Sequence, residues 1–224
     1  MFPESKIIAS EALQCPTLLE NGFGAHRIEG IGDKHVPWIH NIKNTDLVVA
    51  IDDNAVMEIM RVFNEPEGQK YLASLGLAEA LVSKLHLLGF SGIANLLSAI
   101  KFAKYYELGE EDIVLTVLTD SMELYESRVV EIQKEKGKLT QLQAAAAFSR
   151  YLLGERTDNL IELSYQDRRR VHNLKYYTWV EQQGKTYEEI LDQWYDPTYW
   201  TDVQGQAEEI DELIIDFNQR TGLL

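Results

Sequence analysis

The feature that most constrains the fold is the alternation of short β-branched runs with helical patterns. Residues 6–12, 46–52 and 112–120 each have the composition of a buried parallel-type strand and are bounded by polar or turn residues. Residues 53–63 place apolar side chains at the i, i+3, i+4, i+7 spacing of an amphipathic helix. This alternation predicts an α/β fold, a three-layer sandwich with a mostly parallel sheet and helices on both faces.

The character of the chain changes after the third predicted strand. Further helices are predicted over residues 78–88, 92–107, 121–136 and 140–153, and a final amphipathic helix over 205–219. Residues 164–203 are polar and rich in Tyr and Trp. The sequence therefore predicts two parts: an α/β part over 1–136 and a helical, aromatic-rich extension over 137–224 that packs on it or on a partner.

Composition excludes several classes of protein. The formal net charge is −15, from 36 acidic and 21 basic residues, which argues against nucleic-acid binding. No apolar run reaches the length of roughly 18 residues that spans a bilayer, and the N-terminus lacks the pattern of a signal peptide. A single cysteine, Cys15, is typical of a reducing compartment. These features predict a cytoplasmic protein without membrane contact.

Three histidines raise the question of a metal site. His26, His35 and His40, with Cys15, have spacings that fit neither a helical i, i+4 pair nor a compact zinc motif. We therefore predict no metal site. One of these histidines is instead a candidate for a position beside a substrate cleft.

Two glycine pairs, Gly22-Phe23-Gly24 and Gly30-Ile31-Gly32, are the nearest approach to a phosphate-binding loop. Neither has a third glycine or a following helix. As bare patterns they are best explained as turns that need positive φ.

The sequence around these glycines resembles a known family. IEGIGDKHVP (28–37) resembles the Q-G-I-G-x-G-F-V-P segment of cysteine synthases and cystathionine β-synthases, and GFSGIANLLSAIKFA (89–103) resembles their G-I-S-S-G-A-A loop and helix. Residues 112–127 resemble the family's strand that ends in P-D-S-G-E-R-Y-L-S-T, and KIIASEALQCPTL (6–18) resembles the strand after its phosphate loop. Together these segments resemble the C-terminal half of fold-type-II pyridoxal-phosphate enzymes, the superfamily that includes tryptophan synthase β.

The resemblance implies a set of cofactor-binding residues. Ser91 matches the residue whose hydroxyl contacts the pyridine nitrogen, and its alternative role is to cap the following helix. Gly30, Ile31 and Gly32 would line the cleft beside the cofactor ring. Ser121 is a second-choice contact, and a turn that opens the next helix is its alternative role.

The chain also departs from the family. Residues 64–80 look inserted, Gly92 replaces the second serine of the loop, and Met122 replaces the glycine after the aspartate and serine. In the family, the Schiff-base lysine, the substrate-binding asparagine loop and the phosphate loop all precede the segment that matches residue 6. We therefore predict no catalytic residue in this chain.

The resemblance implies part of a pyridoxal-phosphate-dependent lyase or synthase. The complete enzyme would carry out β-elimination or β-replacement on an amino acid, and an N-terminal half or partner subunit would carry the lysine. The chain alone is expected to be inactive, and a homo-oligomer is expected, as is common in the family. The alternative is a non-catalytic regulatory or scaffolding subunit that retains the fold.

Overall fold

The computed structural model describes residues 4–223 of the chain, which divides into two compact units. The first comprises the described parts of Met1–Lys34 and Thr45–Ser164, and the second comprises His35–Asn44 and the described part of Tyr165–Leu224. The chain is α/β, and its C-terminal region is helical, as predicted. The division at residues 136 and 137 remains a prediction about the origin of the two parts.

The elements follow in chain order. The first unit contains strands β1 (Ile8–Ala12), β2 (Leu47–Ile51) and β3 (Leu160–Glu162) and helices α1 (Thr17–Glu20), α2 (Asp53–Asn64), α3 (Pro66–Ser74), α4 (Glu79–Val82), α5 (Phe90–Tyr105), α6 (Glu126–Lys136) and α7 (Gln141–Phe148). The second unit contains α8 (Tyr165–Asn173), α9 (Tyr187–Tyr195), α10 (Tyr199–Gly205) and α11 (Ala207–Thr221). Shorter 3-10 and π turns are Ile42–Asn44, Leu85–Leu87, Met122–Tyr125, Ser149–Leu153 and Tyr176–Val180.

The sheet of the first unit is small and mixed, in the order β1-β2-β3. Strands β1 and β2 pair in parallel, with Ile8 opposite Leu47, and confirm the first two predicted strands. Strand β3 pairs antiparallel to β2 and was not predicted. The sheet therefore has one parallel and one antiparallel pairing, and the predicted three-layer sandwich with a mostly parallel sheet is not confirmed.

The third predicted strand, 112–120, is wrong as a sheet strand. Its residues run without regular structure and pair with no strand of the described chain. Ile113 and Leu115 are each 92% exposed. A strand needs a hydrogen-bonding neighbour as well as β-branched residues, and the described chain offers none at this place.

The core of the first unit combines residues of β1 and β2 with residues of several helices, among them α2, α5 and α7. All five residues of β2 are buried. Helix α2 follows at once, with Asp52 accepting a hydrogen bond from the Asn54 backbone N–H as its N-cap. Its apolar face, predicted from spacing, is buried in the core with residues of α5.

Three predicted helices are interrupted. Residues 78–88 form only α4 and a 3-10 turn, and the Ser83 hydroxyl donates to the Ala80 carbonyl just where α4 ends. The helix predicted over 121–136 opens with a 3-10 turn before α6. The helix predicted over 140–153 is α7 continued by a π turn, with the Gly154 N–H bonded to the Ser149 carbonyl.

The second unit is held by aromatic contacts around buried polar groups. Trp38 packs edge-on against Trp179, and Tyr165 packs edge-on against Trp194. Its last helix, α11, confirms the amphipathic helix predicted over 205–219. The apolar face of α11 is exposed within the described chain and comprises Ile210, Leu213, Ile214 and Phe217.

Within residues 4–223, no single helix is long and apolar enough to span a bilayer. The segments Glu79–Leu87 and Phe90–Tyr105 reach that length and composition only together, and they are bent by 115°.

Candidate functional site

The loop after β1 and the start of α5 meet in the first unit. Gly30 has φ +88° and Gly32 has φ +91°, so both need the conformational freedom of glycine. A Cβ on Gly30 would lie 3.4 Å from the Ser91 Cβ and 3.5 Å from its Oγ. The structure therefore places Gly30 and Ser91, predicted separately from two motifs, next to each other, with room for a Cβ-sized group between them.

Ser91 is buried at the start of α5 and its hydroxyl faces the 112–120 segment. The Ser91 Oγ lies 2.8 Å from the Thr119 Oγ1, and it donates to the Asp120 Oδ1 at 3.3 Å. The N-cap residue of α5 is Gly89, and no side chain caps this helix. The alternative role of Ser91 as a helix cap is therefore wrong.

Asp120 accepts several hydrogen bonds beside Ser91. The Tyr125 hydroxyl donates to the Asp120 Oδ2 at 2.6 Å, and the Gly89 N–H donates to the Asp120 carbonyl at 3.0 Å. The hydrogen bond to Asp120, aided by burial, raises the pKa of Tyr125 to about 12, so the phenol remains a donor at neutral pH. We call Gly30, Ser91, Thr119, Asp120 and Tyr125 the Ser91 cluster.

Gly32 faces His26 on the other side of the same loop. A Cβ on Gly32 would lie 3.0 Å from the Cε1 and Nε2 of His26 and 3.0 Å from the Ala12 Cβ. His26 is thus the histidine beside the glycine loop. Its Nδ1 is buried and has no hydrogen-bond partner among residues 4–223.

Asp53, at the start of α2, is a second incompletely bonded group. Its Oδ2 accepts from the Arg27 N–H at 2.6 Å, whereas its buried Oδ1 has no partner within the described chain. Burial raises the pKa of Asp53, against the opposing effects of the Arg27 hydrogen bond and of His26.

The two remaining candidates point elsewhere. Ile31 packs against the hydrophobic core. The Ser121 hydroxyl donates to the Glu123 carboxylate at 3.3 Å. Ser121 is the N-cap residue of the 3-10 turn Met122–Tyr125, as its alternative role predicted, although its side chain makes no capping hydrogen bond. Neither side chain has a hydrogen bond to the Ser91 cluster among the bonds of the described residues.

A cavity of about 340 Å³ lies elsewhere in the first unit, beside Leu13 and Asp52 at the ends of β1 and β2. Its buried cation, Lys101, is fully paired: it donates to the Asp158 carbonyl at 2.8 Å and Oδ1 at 3.0 Å, and lies 3.3 Å from the Glu155 carboxylate. Burial raises the pKa of Glu155, and Lys101 opposes that effect. These groups stabilise the loop that lines the cavity.

No group of three or more His, Cys, Asp or Glu side chains in the described part of the chain could hold a metal ion. The Ser91 cluster offers three hydroxyls and one carboxylate for hydrogen bonding. Beside them, Gly30 has no side chain, so its backbone leaves space for a ligand. Such a surface suits the flat edge of an aromatic ring that carries a hydrogen-bond acceptor.

Sequence reasoning missed Thr119, Tyr125 and Gly89. Asp120 is the last residue of the run predicted as a strand over 112–120, and the carboxyl ends of such strands are where ligands gather in open α/β sheets. Tyr125 lies one short turn beyond it and matches the tyrosine of the P-D-S-G-E-R-Y segment, a signal that could have found it.

Gly89→Ala is expected to break the Ser91 cluster. A Cβ there would lie 2.2 Å from the Asp120 Oδ1 and 2.8 Å from its Cγ, so the carboxylate must leave Ser91 and Tyr125. The pKa of Tyr125 should then fall toward its ordinary value, measured by NMR with ring-labelled tyrosine.

Gly92→Ala is the matched control, because a Cβ there meets only the Leu118 and Leu88 side chains, at 3.4 Å or more. An unchanged Tyr125 titration in Gly89→Ala would contradict the assigned geometry.

Comparison with known proteins gives a partial similarity. Over 124 residues the chain is 29% identical to the cysteine synthases of Staphylococcus aureus strains Mu50, N315 and MW2. The aligned region covers 55% of this chain and 34% of each relative, so the chain spans about a third of the length of the curated relatives that it matches. No family model and no solved structure matches the chain. The similarity indicates a distant relation to the cysteine synthases.

Proposed function

We propose that this chain supplies the C-terminal part of a pyridoxal-phosphate-dependent enzyme that acts on an amino acid by β-elimination or β-replacement. The observation that carries the proposal is the close approach of Gly30 to Ser91, which brings two separately matched motifs together. The partial similarity to cysteine synthases supports the same assignment. In this proposal, residues 1–136 belong to the catalytic fold and 137–224 form an extension.

The cluster fits one side of pyridoxal phosphate. Ser91 would offer its hydroxyl to the ring nitrogen, and Gly30 and Gly32 would let the backbone approach the ring. Ile31 would support this loop from the core, and Ser121 would lie at the rim. In this proposal an N-terminal half or a partner subunit supplies the Schiff-base lysine.

The cofactor, when bound, supplies an electron sink for chemistry at the amino acid's Cα and Cβ. The chain's own part is to bind and orient. A serine hydroxyl does not hold a ring nitrogen protonated as a carboxylate would, and both oxygens of the nearby Asp120 carboxylate already accept hydrogen bonds, from Ser91 and from Tyr125. The neutral Tyr125 phenol keeps Asp120 fixed as an acceptor.

In this proposal the complete enzyme is a cytoplasmic homo-oligomer. The alternative is a regulatory or scaffolding subunit that retains the fold without catalysis. The observation in its favour is that Thr119 and Asp120 already occupy the Ser91 hydroxyl. The two proposals differ in what Ser91 does when pyridoxal phosphate is added to the complete protein.

Ser91→Ala is expected to change the absorbance spectrum of the cofactor in the complete protein, in which this chain is joined by the lysine-bearing part. The lost bond is worth about 1 kcal/mol, so the melting temperature should fall only slightly. Spectra are recorded with and without amino acids that carry a leaving group at Cβ.

Ser98→Ala is the matched control. Ser98 is also buried on α5, and among residues 4–223 its hydroxyl bonds to the Ser10 hydroxyl, at 2.7 Å. It should cost similar stability and leave the spectrum unchanged. Equal spectra for the Ser91→Ala, Ser98→Ala and unmodified proteins would favour the non-catalytic subunit.

A further inference from the structure

The segment 113–119 is an apolar stretch without regular structure, and it has no pairing partner in the described chain. Its exposed apolar side chains are Ile113, Val114, Leu115, Val117 and Leu118. No backbone N–H from 113 to 119 donates to another backbone group among the described residues. Contiguous exposed apolar surface of this kind marks an interaction site.

The segment is fixed at both ends. At its start, the Asp112 N–H donates to the Gly109 carbonyl and the Asp112 carboxylate accepts from the Gly109 N–H. At its end, the Asp120 carbonyl accepts from the Gly89 N–H. Both ends of the segment are thus held in place before any partner binds, which lowers the conformational entropy lost on pairing.

Helix α5 supports both this segment and the edge of the sheet. The Asn95 side chain donates to the Val117 carbonyl at 2.9 Å, and the Ser98 hydroxyl contacts the Ser10 hydroxyl of β1. Strand β1 pairs only with β2 in the described chain. Two strand-like edges therefore lie on one helix, and neither is paired on its outer side.

We propose that the 113–119 segment is a docking edge for a β-strand of the polypeptide that carries the remaining part of the cysteine synthase-like fold. This inference rests on the proposed function. The pattern fits a strand buried on both faces, because apolar residues follow one another instead of alternating with polar ones. The similarity to relatives about three times longer than the aligned region is consistent with a partner of that kind.

Charge argues against a second copy of this chain as the occupant. Glu110, Glu111 and Asp112 precede the segment and Asp120 follows it. Pairing two copies, parallel or antiparallel, would place these carboxylates near one another, in a chain whose net charge is already −15. The partner strand is therefore expected to have an apolar centre and neutral or basic flanks.

If the segment pairs as a strand, odd-numbered and even-numbered residues should respond differently to the partner. Successive backbone N–H groups of a strand point to opposite edges, so a partner on one edge uses every second residue. Proline removes an N–H and is tolerated where that group is unpaired. Leu115→Pro and Thr116→Pro should therefore differ at least tenfold in their effect on binding, although neither breaks a backbone hydrogen bond of the chain alone.

The test co-expresses the full chain with Staphylococcus aureus cysteine synthase from which the matched third is deleted. The complex is isolated, and hydrogen exchange is measured at the amides of 113–119. We expect every second amide to become at least tenfold more protected, and one of the two proline variants to lose binding. Leu142→Lys, which changes an exposed leucine of α7, is the matched control and should bind normally.

The outcomes separate this inference from the proposed function. Absence of a complex, a complex without protection at 113–119, or equal effects of the two proline variants would overturn the docking edge. Protection in the chain alone at high concentration would overturn it in favour of a second copy. A third outcome is possible: amides of 113–119 become protected in the complex, but Ser91→Ala does not change the absorbance spectrum of the cofactor. That result would support the docking edge and contradict the proposed function.

Discussion

Replacing Arg61 with methionine is expected to destabilise the first unit by about 3–5 kcal/mol. Arg61 is 2% exposed, and its Nε donates to the equally buried Glu65 carboxylate at 2.6 Å. Its Nη2 donates to the Gly137 carbonyl at 2.7 Å, and Glu65 also accepts from the Leu139 N–H at 2.9 Å. Methionine fills the space but leaves Glu65 as a buried charge without its cation.

The measurement is urea denaturation followed by circular dichroism, with hydrogen exchange of the α2 amides to locate the effect. The double variant Arg61→Met/Glu65→Leu should recover much of the loss, because no charge is then left buried. Arg128→Met is the control: Arg128 is half-exposed between Glu29 and Glu131, and its loss should cost at most about 1 kcal/mol. Equal losses for Arg61→Met and Arg128→Met would contradict the assigned network.

The same network shows what local sequence can and cannot predict. The apolar spacing of α2 is a local property, and the predicted helix over 53–63 is confirmed. Arg61 lies in that helix and would be placed on its polar face by the same spacing. Its burial depends on Gly137, which is 76 residues away in sequence. Lys101, paired with Asp158 and Glu155, was missed for the same reason.

The 112–120 segment failed as a strand prediction for a related reason. Its composition is that of a buried strand, but a strand forms only when a neighbour completes its hydrogen bonds. Strand β3 is the opposite case, because three residues without a strong pattern form a strand beside β2. Composition therefore identifies segments that favour a β-strand. Whether such a segment pairs in a sheet depends on whether a neighbouring strand is available.

The candidate site was predictable where a motif marked it. Ser91 and Gly30 came from two matched segments, and the structure places them next to each other. The polar groups that hold Ser91 come from Thr119 and Asp120, 28 and 29 residues away. Their contact with α5 is a tertiary contact, which the spacing of residues in the sequence does not predict.

Lys175→Met is expected to destabilise the second unit by about 1–3 kcal/mol. The Lys175 side chain is fully buried, and its Nζ donates to the carbonyls of Trp38 and His40 and to the Gln193 Oε1, at 2.7–2.9 Å. The rings of Trp38 and Trp200 lie within 6.0 Å of the same nitrogen. Methionine would leave the buried Gln193 Oε1 without this donor, at about 1–3 kcal/mol before relaxation. The Trp38 carbonyl would still accept from the Gln193 Nε2 at 3.2 Å, and the His40 carbonyl from the Ile42 N–H at 3.1 Å.

The loss should depend on pH in a defined direction. Burial lowers the pKa of Lys175 from its ordinary 10.5 to about 7. Between these values the unfolded chain binds a proton that the folded chain does not, so this lysine makes the second unit more stable as pH rises from about 7 toward 10.5. The difference in stability between the unmodified protein and Lys175→Met should therefore grow with pH over that range and level off below it.

Tryptophan fluorescence isolates the second unit, because all four tryptophans, Trp38, Trp179, Trp194 and Trp200, belong to it. Urea denaturation is followed at pH 6.5, 8 and 9.5 for both proteins. Lys185→Met is the control, since Lys185 is exposed and paired with Glu189 at 2.7 Å, and its loss should be small. A stability difference for Lys175→Met that is constant across the three pH values would show that the lysine keeps its ordinary pKa, with its ammonium stabilised by the three carbonyl acceptors and the two indole rings.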